Sequence, residues 1–170
     1  NTPFRFYKLK SYEGGTTTPL IAHWPKGISE KNVFNRENCH FIDIMSTVMD
    51  LAGANYPGEA KNVTVSSPDG VTLVPTFTGQ PLNRKAPIFY EYGSGAAIQD
   101  GAMKLVRTTK WELYDLSKDR TETSNLIALY PELAQDLLKQ WNAWYTECTG
   151  VDYADAEAVK KAAKTGQKKK

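Results

Sequence analysis

Pro87-Ile88-Phe89-Tyr90-Glu91-Tyr92, Ala96-Ala97-Ile98-Gln99, Met103-Lys104-Leu105-Val106-Arg107 and Trp111-Glu112-Leu113-Tyr114-Asp115-Leu116 follow one another in a single stretch. Each run is short and rich in β-branched or aromatic residues, and the last two alternate with period two. Asp100-Gly101 between the second and third runs is a hairpin signal, because glycine takes the left-handed conformation that tight hairpin turns need. The stretch reads as a meander of about four antiparallel strands. After the polar loop Asp119 to Asn125, Pro131 opens a helix. Leu133, Leu137, Leu138, Trp141 and Trp144-Tyr145 recur on it at helical spacing. Its apolar stripe needs a partner, and one face of the sheet supplies it. Trp111, Trp141 and Trp144 then belong to the sheet–helix core.

Upstream the pattern changes. Pro19 to Trp24 is an apolar run closed by the turn Trp24-Pro25-Lys26-Gly27, and reads as a buried strand. Phe41, Ile44, Val48 and Leu51 then mark a helix over His40 to Gly53, with Gly53 as its stop and one face packed on that strand. Asp69 is placed to cap a short helix closed near Gly79. The linker falls at Gln80 to Ala86. The division is therefore 1–80 as the end of a larger α/β body, 81–150 as a small antiparallel-sheet-plus-helix domain, and 151–170 as a polar tail. Ala154 to Ala163 reads as weakly helical and Thr165 to Lys170 as disordered. The chain opens on Asn1 and enters at once into the aromatic Phe4-Arg5-Phe6-Tyr7, which reads as the continuation of a longer chain rather than a free start.

Composition narrows the function classes. A net charge of +2, with much of the positive charge in the tail, gives no argument for nucleic acid. No apolar run is long enough to span a bilayer. Cys39 and Cys148 share no metal-ligand spacing and read as unpaired structural thiols. His23 and His40 lack a clustered third ligand and make no zinc site; His40 reads as a packing or helix-capping residue.

The chemistry-bearing block is Lys8-Leu9-Lys10-Ser11-Tyr12-Glu13-Gly14-Gly15. A lysine ahead of an aromatic-Glu-Gly-Gly turn suits placing one ammonium beside an anion. This block, the Pro19 to Pro25 run, His40 to Gly53, Asp69-Gly70 with Leu73 and Pro75, and the Gly101 to Leu116 hairpin stand in an order that resembles the type I sulfatase (arylsulfatase) family. That resemblance implies an alkaline-phosphatase-like fold, of which this chain would be the C-terminal portion: the last βα element of the large sheet and a four-stranded antiparallel domain on one long helix. It implies hydrolysis of sulfate monoesters in the full-length enzyme, with Lys8 as the sulfate-contacting lysine. Glu13-Gly14-Gly15 would be a structural turn presenting it, and Lys10 would be solvated. It also implies a pocket rim in the small domain, here Glu91, Tyr92 and Ser94. The family's Cys- or Ser-x-Pro-Ser-Arg nucleophile motif, source of formylglycine, is absent from these residues, as are its calcium-binding Asp and Asn residues. The chain alone is therefore expected to be inactive, with calcium and nucleophile supplied by the missing N-terminal portion. The partners implied are a sulfated small molecule or glycan and that portion, in a periplasmic or secreted enzyme, with no nucleic acid or membrane. Two alternatives stay open: a phosphonate or phosphodiester hydrolase of the same superfamily, and a non-catalytic binding module.

Overall fold

The computed structural model describes residues 2–29 and 31–154; the tail readings from residue 155 onward lie outside them. In chain order the elements are α1 (Glu13–Thr16), α2 (Ile42–Ala52), β1 (Glu59–Ala60), β2 (Val63–Thr64), a 3₁₀ turn (Val74–Thr78), β3 (Ile88–Tyr92), β4 (Gly95–Asp100), β5 (Met103–Arg107), β6 (Trp111–Asp115) and α3 (Pro131–Thr149). The architecture is mixed α/β, with a four-stranded antiparallel sheet in the order β3-β4-β5-β6. The chain divides into two units. One joins Asn1–Thr18 to the chain from Pro87 onward, and the other is Pro19–Ala86. The breaks fall after Thr18 and after Ala86. The first eighteen residues belong with the sheet, not with the segment that follows them in sequence.

The sheet unit follows the expected meander. Its register sets Ile98 opposite Leu105 and Leu105 opposite Leu113, so three apolar residues form one row across three strands. Period two puts that row on one face, where it meets Ala134, Leu137, Trp141 and Tyr145 of α3 in a buried cluster. Trp141 is fully buried at its centre, edge-on to Trp111 at 5.6 Å, and its Nε1 donates to the Tyr90 carbonyl at 3.1 Å. Trp144 stacks on Phe89 at 5.0 Å. The three tryptophans are core, as the helical spacing implies. Gly101 (φ 55) makes the β4–β5 turn, Gly93 (φ 60) the β3–β4 turn, and Gly150 (φ 70) closes α3.

The other face of the sheet is covered as well. Ala97, Val106, Tyr114 and Leu116 form a second buried cluster with Tyr12, which comes from the N-terminal block. Residues 95–99 of β4 are therefore buried on both faces. The small side chain of Ala97 leaves room for the rings above it.

The second unit departs from the sequence reading. Pro19 to Trp24 forms no strand, and Ile21 is 89% exposed. A strand exists only through ladder partners, and among the described residues none pairs with this run. The turn at its end does form, with Gly27 N donating to Trp24 O at 3.0 Å. Helix α2 forms and ends at Gly53 in the left-handed conformation. Its apolar stripe does not pack as expected: Phe41 is 81% exposed, and Ile44, Val48 and Leu51 are exposed too. Asp43 and Thr47, on the flank of that stripe, are the buried residues. They lace the helix to residues 71–73. Asp43 Oδ1 accepts from Val71 N at 3.0 Å, and Thr47 Oγ1 accepts from Leu73 N at 2.9 Å. Arg84 pairs with the fully buried Asp43 carboxylate, whose Oδ2 also accepts from His40 N. Asp43 in the first turn thus ties back the backbone of the residue that precedes Phe41. Asp69 does not cap the next turn. That turn starts after Leu73, and Thr72 Oγ1 accepts from Val74 N at 3.2 Å. Between them lies a small hairpin, β1–β2, with Lys61 (φ 52) and Asn62 (φ 64) both left-handed, as two-residue hairpin loops favour. Cys39 and Cys148 are both exposed, not core thiols.

Trp141→Ala should destabilise the sheet unit by about 3–5 kcal/mol, whereas Val48→Ser on the open α2 stripe should shift stability by about 0.5 kcal/mol or less. Urea unfolding followed by far-UV circular dichroism checks both, and a large loss from Val48→Ser would mean that the stripe is covered.

Candidate functional site

The Lys8–Gly15 block closes on itself. Gly14 N donates to Arg5 O at 3.0 Å, and Gly15 N donates to Tyr12 O at 2.7 Å. A Cβ on Gly14 would lie 2.3 Å from the carbonyl oxygens of Arg5 and Phe6, and one on Gly15 would lie 1.9 Å from that of Lys10. Both are backbone atoms that cannot swing aside. The paired glycines are thus required by the close approach of the two legs of the loop. At the tip, Phe6 (φ 60) and Leu9 (φ 78) occupy the left-handed region, uncommon for side chains of this size. Lys8 sits between them, exposed, in a turn.

Charged side chains pin the loop to the sheet. Lys104 projects from β5 on the same face as Val106 and is fully buried. Its Nζ donates to Glu13 Oε1 at 3.0 Å and lies 3.1 Å from Glu122 Oε1, off the direction of a hydrogen bond. Glu122, also fully buried, accepts the backbone N–H of Glu13 on Oε2 at 2.7 Å. Thr17 Oγ1 donates to Glu13 Oε2 at 2.8 Å, and Arg120 stands 3.5 Å from the same oxygen. The two carboxylates respond differently. Burial pushes Glu13 up, but Lys104, Thr17 and Arg120 outweigh it and hold the group below its ordinary value. For Glu122 burial wins, and its value is raised.

The other leg is held by Arg5. Its Nη1 donates to Glu122 O at 2.5 Å and to Tyr114 OH at 2.8 Å, and its guanidinium lies over the Tyr12 ring at 4.6 Å. Tyr12 OH and Tyr114 OH both donate to Glu112 Oε2, at 2.5 and 2.8 Å. Burial and the Glu112 acceptor push Tyr114 up to about 12 and Tyr12 higher still, so both remain donors at neutral pH.

Of the residues expected at the site, Lys8 stands at the loop tip and makes no hydrogen bond, ion pair or ring contact with the described residues. Lys10 is half-buried, not simply solvated, and donates to Ser94 Oγ at 3.3 Å. Ser11 lies against Gly95, where a Cβ would come 3.0 Å from its Oγ. The fold thus brings the lysine block beside the Tyr92–Gly95 turn, far away in sequence. Tyr92 is 63% exposed on that turn, and Glu91 is exposed on the strand before it. Glu13 is more than a turn residue, because it carries the anchor to Lys104. Lys104, Glu122 and Arg5 escaped the sequence reading. Lys104 alone left a signal there: an ammonium in an alternating run, on the same strand face as Val106, demands a carboxylate. Glu122, left-handed at φ 55 in a polar loop, left none.

Among the described residues no group of three or more His, Cys, Asp or Glu could hold a metal ion. The buried carboxylates Glu13 and Glu122 flank an ammonium, an environment that opposes a cation. No described helix is long and apolar enough to cross a membrane.

The profile of the N-sulphoglucosamine sulphohydrolase C-terminal family matches residues 4–145. The chain belongs to that sulfatase family. Among its relatives, an uncharacterised sulfatase of Schizosaccharomyces pombe is 30% identical over 92% of this chain and 30% of its own length. A sulfatase of Formosa agariphila is 28% identical over 95% of this chain and 34% of its own. The N-acetylgalactosamine-6-sulfatase of Mus musculus is 32% identical over 70% of this chain and 22% of its own. The crystal structure of Ps i-CgsB superposes with a TM-score of 0.66, covering 85% of this chain and 32% of that one at 23% identity, which shows the shared fold. The sulfatase-family chain thus spans about a third of the length of the first two relatives.

Glu112 is held below its ordinary 4.5: burial opposes this, but Tyr12, Tyr114 and Arg5 outweigh it. A carboxylate whose folded pKa lies below its unfolded one contributes stability above the unfolded value and loses it as pH falls through the folded value. Glu13 has the same sign, whereas raised Glu122 has the opposite one. Stability should therefore fall below about pH 4.5, and Glu112→Gln should flatten that fall. Thermal melting across this range tests it; an unchanged acid slope in the variant would remove Glu112 from the account.

Proposed function

We propose that this chain is the C-terminal part of a sulfuric ester hydrolase, and that Lys8 contacts the sulfate of its substrate. The observation that carries this reading is the contrast between Lys8 and the cations around it. Arg5, Lys104 and Arg120 each face carboxylates of the fold, while Lys8 is presented uncommitted at the tip of a pinned loop. An ammonium without an internal partner keeps its charge and its three donors for an incoming anion. Membership of a sulfatase family supplies the anion class.

In sulfate monoester hydrolysis a nucleophile attacks sulfur, and the ester oxygen leaves with negative charge. A fixed ammonium on a sulfate oxygen favours both the bound ester and that developing charge. Lys8 would act as this point charge, near the leaving group. The nucleophile lies outside these residues, as would the ligands of calcium, whose charge would attract the sulfate when bound; the described carboxylates do not fit that ion. Glu91, Tyr92 and Ser94 form the substrate rim, with Lys10 bracing Ser94. The substrate class is a sulfated small molecule or glycan; one relative is named an N-acetylgalactosamine-6-sulfatase. A periplasmic or secreted location goes with this reading.

Lys8→Ala in the full-length protein should lower kcat/KM on 4-nitrophenyl sulfate on the order of 100- to 1000-fold, the scale of losing one donor to a developing charge. Wild-type turnover of 4-nitrophenyl phosphate or a phosphonate ester in preference to the sulfate would move the chain to the phosphoryl branch of the superfamily. Wild-type activity in Lys8→Ala would remove the lysine from the site. Tyr92→Ala should change the ranking of sulfated substrates, and equal losses on all of them would take Tyr92 off the rim.

A further inference from the structure

We propose that Lys104 and Glu122 are positioning residues for Lys8: through Glu13 and Arg5 they lock both legs of the 5–15 loop to the sheet and so set where the Lys8 ammonium stands. The inference rests on the sulfate-contacting reading of Lys8 and goes beyond it.

Glu122 holds both legs at once. Its carboxylate takes the backbone N–H of Glu13, and its carbonyl takes the guanidinium of Arg5. Lys104 holds the side chain of Glu13, and its Nζ also lies 3.4 Å from Thr16 Oγ1 in α1. Backbone and side chain of Glu13 are thus both fixed, five positions after Lys8 on the same closed loop. Beyond the Phe6 ring, whose centroid lies 4.8 Å from that of Tyr12, the tip has little else to hold it. Phe6, Tyr7 and Leu9 are exposed, and the Lys10–Ser94 bond is a solvent-exposed one. The position of Lys8 is therefore inherited from the anchor at the loop's base.

The chemistry of the anchor fits a positioning task better than a stabilising one. An ammonium and two carboxylates have been withdrawn from water, and a buried ion group of this kind is often no more stable than well-packed apolar residues. The neighbouring positions Ala97 and Val106 show that this face accepts apolar side chains. What the ions add is direction. Each hydrogen bond fixes an atom to a few tenths of an ångström, which apolar contact does not.

The first test uses the intact 170-residue chain and hydrogen exchange read by mass spectrometry. In Lys104→Met, the amides of Gly14, Gly15 and Thr16, bonded to Arg5 O and Tyr12 O, should exchange at least about tenfold faster. Peptides from β4, β5 and β6 should stay unchanged, and Lys104→Arg should restore most of the protection. Acceleration spread evenly over the sheet, or none in the loop, overturns the proposal. Glu122→Gln gives the same readout should Lys104→Met fail to fold. The second test is a cycle in the full-length protein on 4-nitrophenyl sulfate. A residue acting through Lys8 costs activity in the wild-type background and nothing further in Lys8→Ala. Multiplicative losses overturn the proposal. A silent Lys8→Ala variant overturns the sulfate reading and the purpose assigned to the anchor, whereas loop-confined exchange would still establish the anchor itself.

Discussion

The Lys104 ammonium, enclosed between Glu13 and Glu122, is the constraint on which the placement of the N-terminal block over the sheet depends. It is fully buried, so it cannot be left unpaired without a large desolvation penalty. One partner comes from the N-terminal loop and the other from the segment after β6. Satisfying it therefore draws two distant segments onto the central strand β5. Once Glu13 is there, Tyr12 is laid over Ala97 and Val106, and its hydroxyl reaches Glu112. The second face of the sheet is closed by the residues that flank the ion group. An antiparallel sheet commonly leaves one face to water; this one does not.

That arrangement also explains why the chain returns to its own beginning. The segment from Pro19 to Ala86 lies in sequence between the N-terminal block and β3, yet it forms a separate unit. It is organised by a different polar centre, the Asp43 carboxylate with Arg84, Val71 and His40. In both units a buried acid collects the chain, and in both the apolar contacts follow the polar ones.

What was legible in the sequence was local. The meander showed because period two, Asp100-Gly101 and the aromatic runs are decided within a few residues. Helix α3 showed because Pro131 and the stripe through Trp141 agree. The strand expected at Pro19 to Trp24 failed because an apolar run states what wants burial, not what is there to bury it. The stripe of α2 failed for the same reason: helical spacing identifies a face and is silent on its partner. The lysine block and the Tyr92 turn could be named separately, but the meeting of Lys10 and Ser11 with that turn could not. Lys10 meets Ser94 and Ser11 meets Gly95, the first contact spanning 84 residues. The tie between Glu13 and Lys104 spans 91. Contacts of that range leave no periodicity.

The distribution of cations argues the functional point more sharply than the overall charge. A chain of net charge +2 has no general pull on anions. Around the loop, however, the basic residues fall into two sets. Arg5, Lys104 and Arg120 face carboxylates, and Lys104 does so where water is excluded. Lys8 and Lys10 face none of the described carboxylates, and Lys10 is turned to a neutral hydroxyl. An incoming anion would find the first set already facing carboxylates and the second without one among the described residues. The glycines complete the logic. Any side chain at Gly14 or Gly15 would push apart legs that approach within hydrogen-bond distance, and the uncommitted lysine would lose its fixed base. The Glu-Gly-Gly sequence is thus read physically as one glutamate that anchors the loop and two absent side chains that let it close.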